Sequence, residues 1–362
     1  MQLNGMRGEV IGMKNRTLGM EMRGGTNVRI RKRRAAKRRK KAGVILALCA
    51  FLCMGSYVYM KQIRAAEETK MYKTEDVLVG VSEIYGEGTF SEGEDLHDTG
   101  SRNDILERIN SPNAILLDVQ SGQVLAEKDA AERIYPASMT KIMTAVLALE
   151  RIENLDEYVV LSNEDFQNLY EQEASMAGFQ PGEEVTYRDL LYGIILPSGA
   201  ECCLAVANRI AGSEEAFAEL MNEKAQALGM KHTHFTNCTG LEGAEHVSTV
   251  EDIAVLLKYA IQNPQFYEIL TSGFYSVAPT NMHPEGFTFY STVTENLDSM
   301  RVNGGSLLGG KTGYTEDAGL CLASIAKIYE KEYILVTAGA DGEPGYRAAH
   351  LMDAISVYGR IG

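Results

Sequence analysis

Apolar positions along the chain fall into two periods, and the changes between them mark out the elements. Ala114 to Asp118 and Val124 to Lys128 are strand-like runs around Gln120-Ser121-Gly122, a pattern that predicts a β-hairpin. From Ser138 to Arg151 good helix formers carry Met139, Ile142, Met143, Val146 and Leu147 after Pro136-Ala137, which predicts a largely buried helix. Thr186 with Asp189 reads as a capping box opening a helix through Ile195, and Ser213 caps the acidic start of another that ends near Leu228. Leu196-Pro197-Ser198-Gly199 reads as a turn between helices. Leu320 to Ile328 and Tyr333 to Ala338 are apolar strand-like runs joined by the polar turn Tyr329 to Glu332, with Lys311 on a strand beside them. A last helix is expected from about Gly345 to Tyr358. Helices inserted between the first and last strands of one antiparallel sheet give an α+β fold, a sheet with flanking helices plus a helical lobe, over residues 105–362.

Upstream the pattern is different. Gly43 to Met60 is an uncharged stretch of 18 residues, just long enough to span a membrane. Charge is split around it: up to Ala42 there are 14 Lys and Arg against 2 Asp and Glu, leaving 21 against 47 for the rest of a chain whose net charge is −14. A basic side before the span predicts a cytoplasmic tail over 1–42, one transmembrane helix or signal-anchor over 43–60, and an extracytoplasmic C-terminal domain held at the cell membrane. A cleaved signal peptide ending near Ala65-Ala66 is the competing reading, but a basic leader of about 40 residues is long for one. The basic run next to an apolar span is explained by topology and anionic lipid, so no nucleic-acid partner is expected. Residues 61–104 are acidic and rich in Gly and Ser, which reads as a flexible linker. There is no internal repeat.

Three short strings carry chemistry. In Ser138-Met139-Thr140-Lys141 a hydroxyl and an amine three residues apart share a helix face, so Lys141 can take the Ser138 proton while free N–H groups at the helix start favour an oxyanion. Burial would lower the lysine's pKa towards a usable base. Ser198-Gly199-Ala200 supplies a second hydroxyl, and Lys311-Thr312-Gly313 a cation on a strand whose glycine lets a substrate backbone approach closely.

Together with Pro136-Ala137-Ser138-Met139-Thr140-Lys141-Ile142-Met143-Thr144, Phe235 to Leu241, His246-Val247-Ser248-Thr249 with Asp252, and Gly309 to Thr315 followed by Ala318-Gly319, these strings resemble the serine D-alanyl-D-alanine carboxypeptidases. These are low-molecular-mass penicillin-binding proteins of the penicillin-recognising acyl-serine superfamily, and the likeness runs from about Ile105 to the C-terminus. The resemblance implies the β-lactamase/transpeptidase-like fold, with the active site at the seam between lobes. It also implies Ser138 as nucleophile, Lys141 as base and Ser198 as a proton relay, with Lys311, Thr312, Gly313 and Tyr314 as the substrate-binding strand. The Ser138 and Tyr314 N–H groups would form the oxyanion hole, and Lys311 would bind the substrate's terminal carboxylate. The expected partners are a peptidoglycan stem peptide as substrate and β-lactams as inhibitors; no metal or organic cofactor is required. The family's extra C-terminal β-domain and amphipathic anchor find no counterpart after the final helix, so the N-terminal span would replace that anchor.

One departure stands out. The family has Ser-x-Asn where this chain has Ser198-Gly199-Ala200, and Glu201, one residue on, would face elsewhere on a helix. The missing amide favours a second reading, a membrane-bound sensor that binds muropeptides or β-lactams with weak turnover. A β-lactamase, which needs efficient deacylation of the acyl-enzyme, ranks lower. Cys49 and Cys53 lie in the apolar span; Cys202, Cys203, Cys238 and Cys321 would be outside the cytoplasm, where disulfides are permitted but their connectivity is open. The six histidines show no zinc pattern.

Overall fold

A computed structural model of the chain describes residues 105–361. The expected basic tail, apolar span and acidic linker over 1–104 lie outside the described residues. Among the described residues no helix is long and apolar enough to cross a membrane.

Six strands form one antiparallel sheet: β1 (Asn113–Asp118), β2 (Val124–Lys128), β7 (Arg301–Val302), β8 (Gly305–Thr315), β9 (Gly319–Ile328) and β10 (Lys331–Ala340). Their order is β2-β1-β10-β9-β8-β7, so the two N-terminal strands complete a sheet otherwise made from the C-terminal end. Two small ribbons, β3 (Tyr158–Val160) with β4 (Glu184–Thr186) and β5 (Phe274–Val277) with β6 (Phe287–Tyr290), were not expected from the sequence. They are three and four residues long, too short for alternation to stand out.

The central strands are buried on both faces, and side-chain alternation divides them between two cores. Ile115 and Leu117 of β1, Cys321, Ala323 and Ile325 of β9, and Ile334 and Val336 of β10 face the larger core. Their neighbours Leu116, Leu322, Ala326 and Leu335 face the other side. There the final helix, Ala349–Tyr358, packs Leu351, Ala354, Val357 and Tyr358 against them. This helix starts later than the expected Gly345. Its buried Asp353 accepts hydrogen bonds from the backbone N–H and side chains of Asn110 and Ser111 (2.7–2.8 Å), tying the first described segment to the last.

The larger core belongs to the helical lobe: α1 (Lys141–Arg151), α2 (Tyr187–Ile195), α3 (Ala200–Ala211), α4 (Glu214–Ala227), α5 (Val250–Ala260) and α6 (Pro264–Thr271), the final helix being α7. Every residue of α1 from Lys141 to Ala148 is buried, as expected of a helix apolar all round. Each fully buried Leu, Ile or Met there contributes about 1.5–3 kcal/mol. The Thr186–Asp189 capping box and the Ser213 cap form as the sequence predicts. The β9–β10 connection is tighter than the expected four-residue turn: Ile328 pairs with Lys331, and Tyr329 and Glu330 carry φ of 43° and 69°, the two left-handed positions of a two-residue hairpin.

Candidate active site

Ser138 does not lie in the α-helix the sequence predicts but in a 3-10 turn, Ala137–Thr140, that runs directly into α1 at Lys141. The turn is wedged by its neighbours. Ala137 has φ of 45°, a strained value for a residue with a side chain, and a Cβ on Gly240 would meet the Ala137 carbonyl at 1.9 Å. On the other side Gly313 of β8 lies against the turn, where a Cβ would fall 3.0 Å from Ser138 N. The glycine of Lys-Thr-Gly therefore admits the serine's own turn as well as leaving the strand edge open. Thr140 is fixed from behind by His246. Thr236 N–H donates to its Nδ1 at 3.0 Å, so Nε2 carries the proton and donates to Thr140 Oγ1 at 2.8 Å. Burial drives the His246 pKa down to about 4, with His234 and Lys141 adding to the effect, and the ring stays neutral.

Lys141 Nζ lies 3.0 Å from Ser138 Oγ and 2.6 Å from the carbonyl oxygen of Thr239. That carbonyl is aimed by Asn237, whose Oδ1 accepts from Thr239 N and Gly240 N (3.2 and 2.7 Å), while Thr144 Oγ1 donates to Cys238 O at 2.6 Å. Desolvation pulls the Lys141 pKa below the usual lysine range, opposed by Cys203, Cys238 and Glu201. A carbonyl can only accept, so Thr239 engages one N–H and a neutral amine keeps its lone pair for the serine proton.

Ser198 lies in the α2–α3 connection with φ of 68°, and among the described residues its buried hydroxyl has no hydrogen-bond partner. Ser138, Ser198, Thr312, Gly313 and Tyr314 line one cleft of about 230 Å³. Lys311 does not line it. Its side chain is fully buried on the face of β8 that carries Gly313, Nζ donates to Thr312 O at 2.8 Å, and burial followed by the charge of Lys141 lowers its pKa well below the usual value. The residue presented to the cleft in its place is Thr312, whose hydroxyl is 2.7 Å from that of Thr292.

Several cleft residues carried no local signal in the sequence. Glu173, Ser175, Thr292, Asn296 and His350 arrive from three separate segments, and among the described residues the buried His350 Nδ1 has no partner. The Thr239 carbonyl was equally silent, since any residue has one; only the Asn237-to-Gly240 turn spacing hinted at it. Ala200 is buried at the start of α3, and Glu201 faces the 177–178 backbone rather than the cleft. Cys202, Cys203, Cys238 and Cys321 are all free buried thiols, and among the described residues no group of three His, Cys, Asp or Glu is placed to hold a metal ion.

Comparison with known proteins agrees with this geometry. The chain is similar to D-alanyl-D-alanine carboxypeptidase DacF of Bacillus subtilis, with 36% identity over 243 residues, 63% of this chain and 57% of the relative. With DacC of Escherichia coli it shares 34% over 235 residues, 62% of this chain and 56% of the relative. The chain thus spans little more than half the length of these two relatives. The fold is similar to the crystal structure of the Streptomyces K15 DD-transpeptidase, with a TM-score of 0.62 and 27% identity over 69% of this chain and 97% of that one. A D-alanyl-D-alanine carboxypeptidase from Mycobacterium tuberculosis gives the same TM-score at 26% identity over 73% of this chain and 94% of that one. The peptidase S11 model, D-alanyl-D-alanine carboxypeptidase, matches residues 99–342, well over half of the sequence, and the chain belongs to that family.

Proposed function

We propose that the chain is a serine D-Ala-D-Ala carboxypeptidase that trims peptidoglycan stem peptides through an acyl-enzyme. Ser138 Oγ attacks the carbonyl carbon of the penultimate D-alanine while Lys141 Nζ takes its proton. The N–H groups of Ser138 and Tyr314 hold the oxyanion. The peptide C–N bond then breaks, and the proton passes from Lys141, with Ser198 as relay, to the departing amine of the terminal D-alanine. Water activated by the same lysine attacks the ester, frees the shortened peptide and restores Ser138. Thr312 and Gly313 receive the terminal residue, whose carboxylate Lys311 attracts by its charge from the floor of the site. The carboxylate selectivity this gives is also what makes a β-lactam, a strained amide beside a carboxylate, an acylating inhibitor.

The observation that carries the reading is the buried amine of Lys141 at 3.0 Å from Ser138 Oγ, held there by the Thr239 carbonyl. The purified chain incubated with a D-Ala-D-Ala-terminated peptide is expected to yield, by mass spectrometry, a peptide one residue shorter and free D-alanine. Ala200 supports the second reading, a sensor of muropeptides or β-lactams with weak turnover; an intact peptide together with a stable penicillin adduct on Ser138 would favour it. The proposal extends to location: the apolar stretch 43–60 anchors the chain, with the basic tail in the cytoplasm and the Ser138 domain facing the wall.

A further inference from the structure

Glu201 is buried in the first turn of α3, three residues after Ser198. Its Oε1 accepts hydrogen bonds from Ala177 N at 2.7 Å and Gly178 N at 2.9 Å. The same segment is tied to α3 again where Ala200 N donates to Ser175 O at 2.8 Å, and Ser175 forms part of the cleft wall. Oε2 is buried and has no partner among the described residues; a Cβ on Gly199 would lie 3.0 Å from it, next to Ser198. No cation stands at ion-pair distance among the described residues. A glutamine could accept the same two backbone bonds without the cost of burying an unpaired charge, so the clamp by itself does not call for a carboxylate.

The electrostatic surroundings supply a reason. Among the described residues no carboxylate stands at ion-pair distance from the buried Lys141, and Glu201 is one of the groups whose charge holds its pKa up against burial. The thiols of Cys202, Cys203 and Cys238 face the same region, but burial raises their pKa values, that of Cys203 to about 12, and they are neutral. Asp189 and Glu214 are already engaged: Asp189 by Thr186 and the Tyr275 hydroxyl, Glu214 by the N–H and thiol of Cys238. Glu201 itself is pushed towards the neutral acid by desolvation, against which its backbone donors and the N-terminus of α3 favour the ionised form.

We propose that Glu201 is a positioning residue with two tasks: it clamps the 175–178 wall of the cleft to the start of α3, and it supplies buried negative charge to the surroundings of Lys141. It touches no reacting atom, and its effect on catalysis rests on the reading of Lys141 as base. The charge sets the pH range over which Lys141 is a free amine, and the clamp sets the shape of the wall the substrate meets.

The test is to titrate Lys141 by NMR in the full chain with 13Cε-lysine, its signal assigned by loss in Lys141→Ala, in wild type and Glu201→Gln. Loss of the charge is expected to move the Lys141 midpoint down by about half a pH unit or more. The acidic limb of Ser138 acylation by a fluorescent penicillin should follow it. Superimposable Lys141 titrations in the two folded proteins would overturn the charge task. Glu201→Asp keeps the charge on a side chain one methylene shorter; its Lys141 midpoint should stay near wild type while amide exchange at Ala177 and Gly178 quickens. Unchanged protection of those amides in Glu201→Asp would overturn the clamp. Neither readout needs turnover, so a wild type that is never acylated would refute the carboxypeptidase reading and leave the Glu201 result standing on its own.

Discussion

Lys141 becomes a base because of where it is kept. A buried ammonium with no carboxylate at ion-pair distance among the described residues carries a penalty of roughly several kcal/mol, and the side chain escapes most of it by giving up its proton. The sign of the pH dependence follows. Its folded pKa is lowered by burial, so the free amine is present above that value, and Ser138 acylation should rise as pH climbs through it and fade below. Stopped-flow labelling with a fluorescent penicillin would show this limb. Lys141→Ala should slow labelling by at least about 100-fold, and Ser138→Ala should carry no adduct. An adduct mapped to another residue in Ser138→Ala would exclude the assigned nucleophile. Ala200 sets up a contest of similar magnitudes. An asparagine there adds a contact that could contribute about 1–3 kcal/mol to transition-state binding, but Ala200 is only 1% exposed, and overpacking costs about as much. The two effects fall on different measurements, so Ala200→Asn is expected to lower Tm and raise kcat/KM for a D-Ala-D-Ala peptide. A slower variant with its fold intact would mean the site is built around alanine.

Among the elements, the 3-10 turn Ala137–Thr140 decides the site. It is gripped between β8 and the 237–241 turn, and both grips rely on glycine. Gly240 has φ of 81° as well as its contact with the Ala137 carbonyl, so Gly240→Ala meets strain and overlap together. The substitution should displace the neighbouring Thr239 carbonyl from Lys141 and cut the acylation rate by more than about tenfold, one pKa unit's worth of differential interaction being a factor of ten. Circular dichroism and Tm would separate this from unfolding, and wild-type acylation in Gly240→Ala would remove the turn from the mechanism. The sequence made Ser138-x-x-Lys141 a helical pair because spacing alone cannot distinguish a 3-10 entry turn from the first turn of an α-helix. Ala137's left-handed backbone is imposed by residues a hundred positions away.

At the scale of the molecule, strands from both ends of the described chain close one sheet, and the helices between them build the lobe that supplies Lys141 and Ser198. The cleft opens where that lobe meets β8. The charge split along the chain supports the proposed extracytoplasmic placement of this domain. Protease added to intact spheroplasts is expected to remove the Ser138 domain and spare the basic tail. Protection of the Ser138 domain would refute the exported orientation.

What the sequence determined by itself was whatever depends on neighbours along the chain. Periodicity marked α1, β9 and β10; the Thr186–Asp189 and Ser213 caps fixed two helix starts to the residue; and the ordered strings around Ser138, Ser198 and Lys311 named the chemistry. What only the tertiary structure decided was distance and dielectric. Thr239 is a lysine acceptor because Asn237 aims its carbonyl, Lys311 is out of the cleft lining because β8 turns its side chain into the core, and Glu201 meets Ala177 and Gly178 because α3 begins under that loop. None of these has a sequence signature, since a backbone carbonyl or N–H is common to nearly every residue and burial is a property of the surroundings. A pKa follows from those surroundings, so the sequence can name Lys141 as a candidate base, but the packed lobe is what makes it one.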